Sequence, residues 1–219
     1  MSNVKVSISF AQFFIVCLIL VSFTSCAPNH SDSQQNLPEN GGFLSGEPCS
    51  APCFSGITPS KTNFEQVEAI LNKSRVLSDK NGSKLVCKTN IDFDNRKIME
   101  CQNGLWIGAD AKTNFVDYIS AKLTPQVSLD SVFEKYGQPD FIVVRLTSVP
   151  DYADNAAILF FDSIQMVVTL ETSIESPYPV SASNVVVEIE YFDKNRYQQR
   201  WNDYHPVKWN GYGSYELTQ

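Results

Sequence analysis

Histidine is nearly missing from this chain. Two occur in 219 residues, His30 and His205. Only His205 lies in the part that reads as folded, and Pro206 follows it. A serine or cysteine triad needs a base set against its nucleophile, so this class of hydrolase has little to draw on. The sequence also lacks G-x-S-x-G, H-E-x-x-H, a phosphate-binding loop and G-x-G-x-x-G. An excess of positive charge is missing as well: 17 Lys and Arg stand against 24 Asp and Glu. Residues 1–25 carry only Lys5, so the remainder has 16 against 24, a net of −8. That acidity excludes the basic footprint of a nucleic-acid binder and disfavours docking on anionic headgroups.

Long apolar runs are absent with one exception, Phe10 to Cys26, FAQFFIVCLILVSFTSC. It is too short for a span of about 20 apolar residues. Gln12 interrupts it, and Ser22, Thr24 and Ser25 break its end. A positive start, an apolar middle and a small-residue exit read as a secretory signal over residues 1–25. Phe23-Thr24-Ser25-Cys26 resembles the lipobox of bacterial lipoproteins. That resemblance implies cleavage before Cys26, lipid chains on Cys26 and a membrane-anchored protein on the extracytoplasmic side. The competing reading is an ordinary signal peptide cleaved nearby, which leaves Cys26 as a spare thiol. Ala27 to Pro48 is polar and rich in Pro, Gly, Ser and Asn, the composition of a flexible tether with a mean reach of about 25 Å.

Six cysteines occur. Cys17 leaves with the signal and Cys26 takes the lipid. Cys49, Cys53, Cys87 and Cys101 remain, an even number in an oxidising compartment, and read as two disulfides. Four cysteines allow three connectivities. Cys87 and Cys101 lie symmetrically about Asp94-Asn95, a turn pair, and so can face each other across a hairpin, leaving Cys49 with Cys53. The crossed pairings stay open. A zinc site is the rival, but C-x3-C followed by C-x13-C fits zinc modules poorly. Asp92 and Asp94 form D-x-D-N without the Gly and closing Glu of a calcium loop. No metal and no cofactor is expected.

From Cys49 onward, periodicity predicts helices alternating with strands. Thr62 and Glu65 are spaced as a capping box, and Phe64, Val67, Ile70 and Leu71 share one helical face. Strands are expected over 84–89, 97–101, 105–107 and 115–123, with Asn81-Gly82 and Asn103-Gly104 as turns. Thr124-Pro125 then precedes a second helix capped by Ser128, with Leu129, Val132, Phe133 and Tyr136 inward and Gly137 at its end. Strands over 140–146, 156–161, 165–172 and 184–191 follow. Thr58-Pro59 before the first helix matches Thr124-Pro125 before the second. The chain therefore reads as α+β, with two helix-plus-antiparallel-meander units over 49–122 and 123–219 packed as helix-on-sheet layers.

Val132 to Asp140, a helix end followed by Y-G-x-P-D and a Val-rich strand, resembles the repeat of BamE/SmpA-type outer-membrane lipoproteins. The tandem β-lactamase inhibitory proteins have a similar helix-to-sheet plan. Pro52-Cys53-Phe54-Ser55-Gly56-Ile57-Thr58-Pro59 resembles the P-C-W-x-G-I-x-P lead-in of bacterial lipoproteins, with Phe54 in place of Trp. These resemblances imply protein binding or scaffolding in the envelope and transfer no catalytic residue.

The C-terminal end is aromatic, with Trp201, Tyr204, Trp209 and Tyr212 close in sequence and Tyr197 on the same helix face as Trp201. Two readings compete: a stacking platform for cell-wall glycans, or rings that close the edge of the core. Glu188 and Glu190 alternate with apolar neighbours, as on the wet face of a strand. A carboxylate-pair hydrolase would need them or a partner distant in sequence. The function expected is a lipid-anchored, non-catalytic protein that binds an envelope protein or cell-wall partner. The alternative is a glycan-binding or glycan-active protein using the C-terminal aromatics.

Overall fold

Short runs rich in Val, Ile, Leu and Phe, several of them buried on both faces, build most of this molecule into sheet. The computed structural model describes residues 43–44, 46, 48–74, 86–92, 95–102, 104–146, 155–171, 173 and 176–217. Residues 1–25, Cys26, Asn81-Gly82 and Asp94 lie outside them, as does most of the expected tether. Among the described residues there are three α-helices: α1 (Phe64–Ser74), α2 (Leu129–Tyr136) and α3 (Lys194–Tyr204). The strands are β1 (Cys87–Ile91), β2 (Lys97–Cys101), β3 (Leu105–Ala109), β4 (Val116–Ser128), β5 (Phe141–Leu146) and β6 (Asn155–Phe161). They continue with β7 (Met166–Leu170), β8 (Tyr178–Val180), β9 (Val185–Phe192), β10 (Val207–Lys208) and β11 (Gly213–Tyr215).

Nine of these strands form one antiparallel sheet, in the order β1-β2-β3-β4-β9-β7-β6-β5-β10, while β8 and β11 pair separately. The mixed α+β class holds. The expectation of two separately layered units does not. β4 pairs with β9 through Tyr118↔Phe192, Ser120↔Glu190 and Lys122↔Glu188, and again at Val127↔Val186 after a register shift. This seam fuses both meanders into one continuous sheet, because β9 and β4 each offer a full edge of unpaired backbone to the other. The described residues belong to one compact unit, Leu37–Gln219.

The two faces follow from the pleat, since successive side chains point to opposite sides. The first face carries the main core. Ile107, Ile119, Ile189, Val168, Leu159 and Ile142 lie on it and are buried. α1 covers it with Val67 and Leu71, and α2 with Leu129 and Val132, all four fully buried. The lead-in folds over the same face as a tight turn, with Phe54 and Ile57 exchanging both backbone hydrogen bonds (2.9 and 2.8 Å). Ser55 and Gly56 at its tip have φ of 50° and 89°, the left-handed pair that such a turn needs.

Three local expectations are corrected. Thr62 does not cap α1: its Oγ1 accepts from the Thr58 N–H (2.9 Å), and Asn63 Oδ1 accepts from the Glu65 N–H (3.0 Å) instead. The reason is tertiary. The Thr62 carbonyl accepts from the Val116 N–H (2.9 Å) and Asn63 bridges Phe115, so the helix starts only beyond that contact. The first strand runs over Cys87–Ile91, past the expected end at residue 89, because its register is fixed by β2; residues 84 and 85 of the expected 84–89 lie outside the described residues. The tether ends earlier than residue 48. Phe43 is buried, its ring 4.6 Å from Phe54 and 5.1 Å from Tyr191, and its carbonyl accepts from the Tyr136 hydroxyl.

Both disulfides take the hairpin-compatible pairing. Cys87 and Cys101 stand directly opposite in the β1–β2 ladder and are bonded, and Cys49 is bonded to Cys53. Asn95 in the connecting turn has φ of 58°, the conformation for which Asn is suited.

α2 is capped as expected. Ser128 accepts from the Ser131 N–H, and Gly137 has φ of 80° with its N–H on the Phe133 carbonyl. Phe133 itself is half-buried, held between Trp209 (5.7 Å, edge-on), Tyr212 (5.6 Å, stacked) and Phe161 (6.4 Å). Phe133→Ala should therefore cost about 3 kcal/mol, the low end for Phe truncation. Exposed Glu134→Ala should stay within about 0.5 kcal/mol. Urea titrations of both variants check the difference, and equal losses would contradict this packing of α2.

Candidate functional site

The second face of the sheet is where its two halves differ. Over β5, β6, β7 and β9 it carries a small separate core: Val143, Ile158, Phe160, Val167 and Phe192, covered by Tyr197 of α3. Trp201 and Tyr204 complete that layer, edge-on to Phe141 (6.0 Å) and Phe160 (6.1 Å). α3 starts at Asp193, whose Oδ1 accepts from the Arg196 N–H (2.7 Å). It ends at His205, left-handed at φ 48°, with the His205 N–H on the Trp201 carbonyl (3.0 Å).

Over β1 to β4 the same face has no helix on it among the described residues. Across it run Lys88, Glu100, Trp106 and Ser120 in one row, and Asn90, Ile98, Gly108 and Tyr118 in the next. Lys88, Asn90, Glu100 and Lys122 are exposed, and Ile98 and Trp106 are half-exposed. The Lys122 ammonium lies 5.2 Å from the centre of the Trp106 ring, a cation–π contact. Gly108 lets Tyr118 lie flat against the sheet: a Cβ there would fall 1.9 Å from Tyr118 Cε1. Glycine in this strand thus marks a close approach.

A chain of charged groups marks the border between the halves. Arg96 Nη2 donates to both Asp117 oxygens at 2.7 Å, and both side chains are buried. The guanidinium also lies 5.3 Å from the Tyr118 ring centre. Burial raises the Asp117 carboxyl above its ordinary range, and Arg96 opposes that rise. On β9, Glu188 accepts from the Ser120 hydroxyl, and Glu190 accepts from Arg200 at 3.2 and 3.4 Å. Glu190 is only 7% exposed. Burial pushes its carboxyl up to about 7, with Arg200 pulling down and Glu188 adding to the rise. Arg145 and Arg200 each lie 4.7 Å from the Tyr204 ring centre.

These partners decide what the acids do. Glu190 is not on the wet face expected for it; α3 and Arg200 lie over it. Glu188 is held within the sheet by Ser120, and Glu190 is paired with Arg200, the contact that ties α3 to the sheet. Among the described residues no group of three or more His, Cys, Asp or Glu is arranged to hold a metal ion. Asp92 serves its turn, with Oδ1 accepting from the Arg96 N–H (2.9 Å).

The four C-terminal aromatics do not form one platform. Trp201 and Tyr204 sit on the second face. Trp209 and Tyr212 sit on the first, over Phe133, with Trp209 buried and stacked on Tyr215 at 5.6 Å. Sequence reasoning missed the Arg96–Asp117 pair, whose members are 21 residues apart. It also missed a cleft of about 350 Å³ beside Trp201, lined by Phe141, Asp162, Gln165, Lys194, Tyr197 and Gln198. Of its residues, Trp201 and Tyr197 had a sequence signal as aromatics on one helix face; Asp162, Gln165, Lys194 and Gln198 had none. No family model, no characterised protein and no solved structure matches this chain.

Proposed function

We propose that this chain is a non-catalytic binding protein of the bacterial envelope. Lipid on Cys26 would hold it to the membrane on the extracytoplasmic side, and a protein partner would dock on the open β1–β4 half of the second face. One observation carries the docking surface: among the described residues the helical cover stops at β4, and Trp106, Ile98 and Lys122 are left accessible beyond it. Tryptophan supplies large contact area at low entropic cost and dominates many interfaces. Lys88, Lys122 and Glu100 give the patch a polar rim of both signs. The resemblance to envelope scaffolding and inhibitory proteins points the same way. A glycan-binding reading has separate support in the cleft beside Trp201.

Two results test the proposal. Cys26→Ser should shift the protein from the membrane to the soluble fraction or block its maturation. Unchanged fractionation, with no lipid mass on the N-terminal peptide, would contradict the anchor. Trp106→Ser should abolish recovery of a stoichiometric partner from solubilised envelopes while thermal stability stays near wild type. Full recovery with Trp106→Ser would contradict the docking face.

A further inference from the structure

The cleft beside Trp201 is built differently from the open half-sheet. Its volume of about 350 Å³ falls in the range of small-ligand sites, about 300–1,000 Å³. Its lining mixes aromatic with planar polar groups. Phe141 and Trp201 form a wall, meeting edge to face at 6.0 Å and 85°. Asp162, Gln165 and Gln198 supply a carboxylate and two carboxamides, and Lys194 a single ammonium.

The polar groups are held in place before any ligand arrives. Tyr197 is buried, and its hydroxyl donates to Asp162 Oδ1 at 2.5 Å. Burial and the neighbouring Asp162 push the pKa of that phenol far above its ordinary value, so it stays protonated and remains a donor. Asp162 is fixed from behind as well, its N–H donating to Asp140 Oδ2 at 2.7 Å. Gln165 holds φ of 46°, a left-handed conformation that Gly or Asn would adopt more cheaply. A glutamine there places a long amide where a glycine would place nothing. That amide donates to the Asp162 carbonyl at 2.7 Å, and the Gln165 carbonyl accepts from the Phe192 N–H at 3.1 Å. Fixing polar groups in advance lowers the ordering cost of binding.

The lining excludes several ligand classes. One ammonium beside a carboxylate does not make a phosphate site, which favours clustered cations or backbone donors. Four polar side chains, Asp162, Gln165, Lys194 and Gln198, make poor walls for a lipid chain. A ring with apolar faces and hydroxyl edges satisfies both kinds of lining at once. We infer that this cleft binds one sugar ring of a saccharide, packed on Trp201 and hydrogen-bonded by Asp162 and the two glutamines. The site is separate from the proposed protein-docking face; only the choice of a cell-wall saccharide as first probe rests on the envelope reading.

The test is a fluorescence titration of the full chain with two probes: muramidase-released peptidoglycan fragments, and maltotetraose as a saccharide unrelated to the envelope. Saturable binding of either is expected. Trp201→Ala should weaken it by about tenfold, the scale of one aromatic contact, and Asp162→Asn by a similar factor. Gln165→Gly, which relieves the backbone and removes the amide, should raise thermal stability while weakening binding. Trp106→Ala should leave the titration unchanged, which separates this site from the docking face. Binding of maltotetraose alone would keep the site and remove the cell-wall assignment. Binding of neither probe, or equal binding by Trp201→Ala and Asp162→Asn, would overturn the inference.

Discussion

Arg96→Met should lower folding stability by about 3–5 kcal/mol, the cost of breaking a buried ion pair by removing one partner. The expectation rests on geometry. Both Asp117 oxygens accept from Arg96 at 2.7 Å, and each side chain is 9% exposed. Without the guanidinium, the Asp117 carboxylate has lost the charge that offsets its desolvation. The damage should spread to α3, because the Asp117 carbonyl accepts from the N–H of Asp193, the cap of that helix (2.7 Å). The double variant Arg96→Met with Asp117→Leu should recover most of the loss, since an apolar pair carries no unpaired charge. Denaturant titrations of the two singles and the double decide it. A single-variant loss below about 1 kcal/mol would mean that the pair is solvated and that α3 docks without it.

The second large effect is a pH dependence set by Glu190. Its carboxyl is pushed up to about 7 from an ordinary 4.5 by burial beneath α3. The folded state therefore holds this proton more tightly than the unfolded chain does. The group's contribution is full below about pH 4.5, and it is lost as pH rises through about 7. The size is about 3 kcal/mol between those limits. Glu190→Gln keeps an acceptor for Arg200 but cannot ionise. Relative to wild type, it should gain about 2–3 kcal/mol in stability between pH 4.5 and pH 8. Asp117, raised in the same direction, is unchanged in that comparison and cancels. Parallel stability curves for the two proteins would show that Glu190 is ionised and hydrated throughout.

Much of the sheet was legible because its signals are local. The runs rich in Val, Ile and Phe, divided by polar or Pro-containing segments, place β5, β6, β7 and β9 within a few residues, although an unbroken apolar run such as Phe141, Ile142, Val143 and Val144 does not say which residue takes which face. Cys87 and Cys101 sit symmetrically about an Asn-containing turn, so their register follows from the hairpin alone. Ser128 and Gly137 bracket α2 with ordinary cap chemistry. What failed depends on contacts between distant segments. Thr62 and Glu65 have the spacing of a capping box, but the bridge from Asn63 to Phe115 takes the chain past it. Phe43 sits in a polar stretch, and only the Phe54 and Tyr191 rings show why it is core.

The single-platform reading of the C-terminal aromatics failed for a geometric reason, whereas the reading of rings that pack at the edge of the core agrees with where they sit. Trp201 and Trp209 are eight positions apart, and the chain between them turns at left-handed His205 and pairs as β10 at the sheet edge. It passes from one face to the other there. Proximity in sequence thus became separation by the thickness of the sheet. The β4–β9 seam was unreadable for a related reason, since either strand could have stayed an edge on its own.

The docking claim is tested most directly by site-specific photocrosslinking in intact cells. A benzophenone side chain would replace Ile98, Glu100 or Trp106 on the open half-sheet, one at a time in the full chain. Glu68 on α1 and Glu134 on α2, exposed on the helices that cover the first face, serve as the opposite side. The account predicts one discrete light-dependent adduct with an envelope protein from the three sheet positions and none from the two helix positions. Adducts from Glu68 or Glu134, with none from Ile98, Glu100 and Trp106, would contradict it.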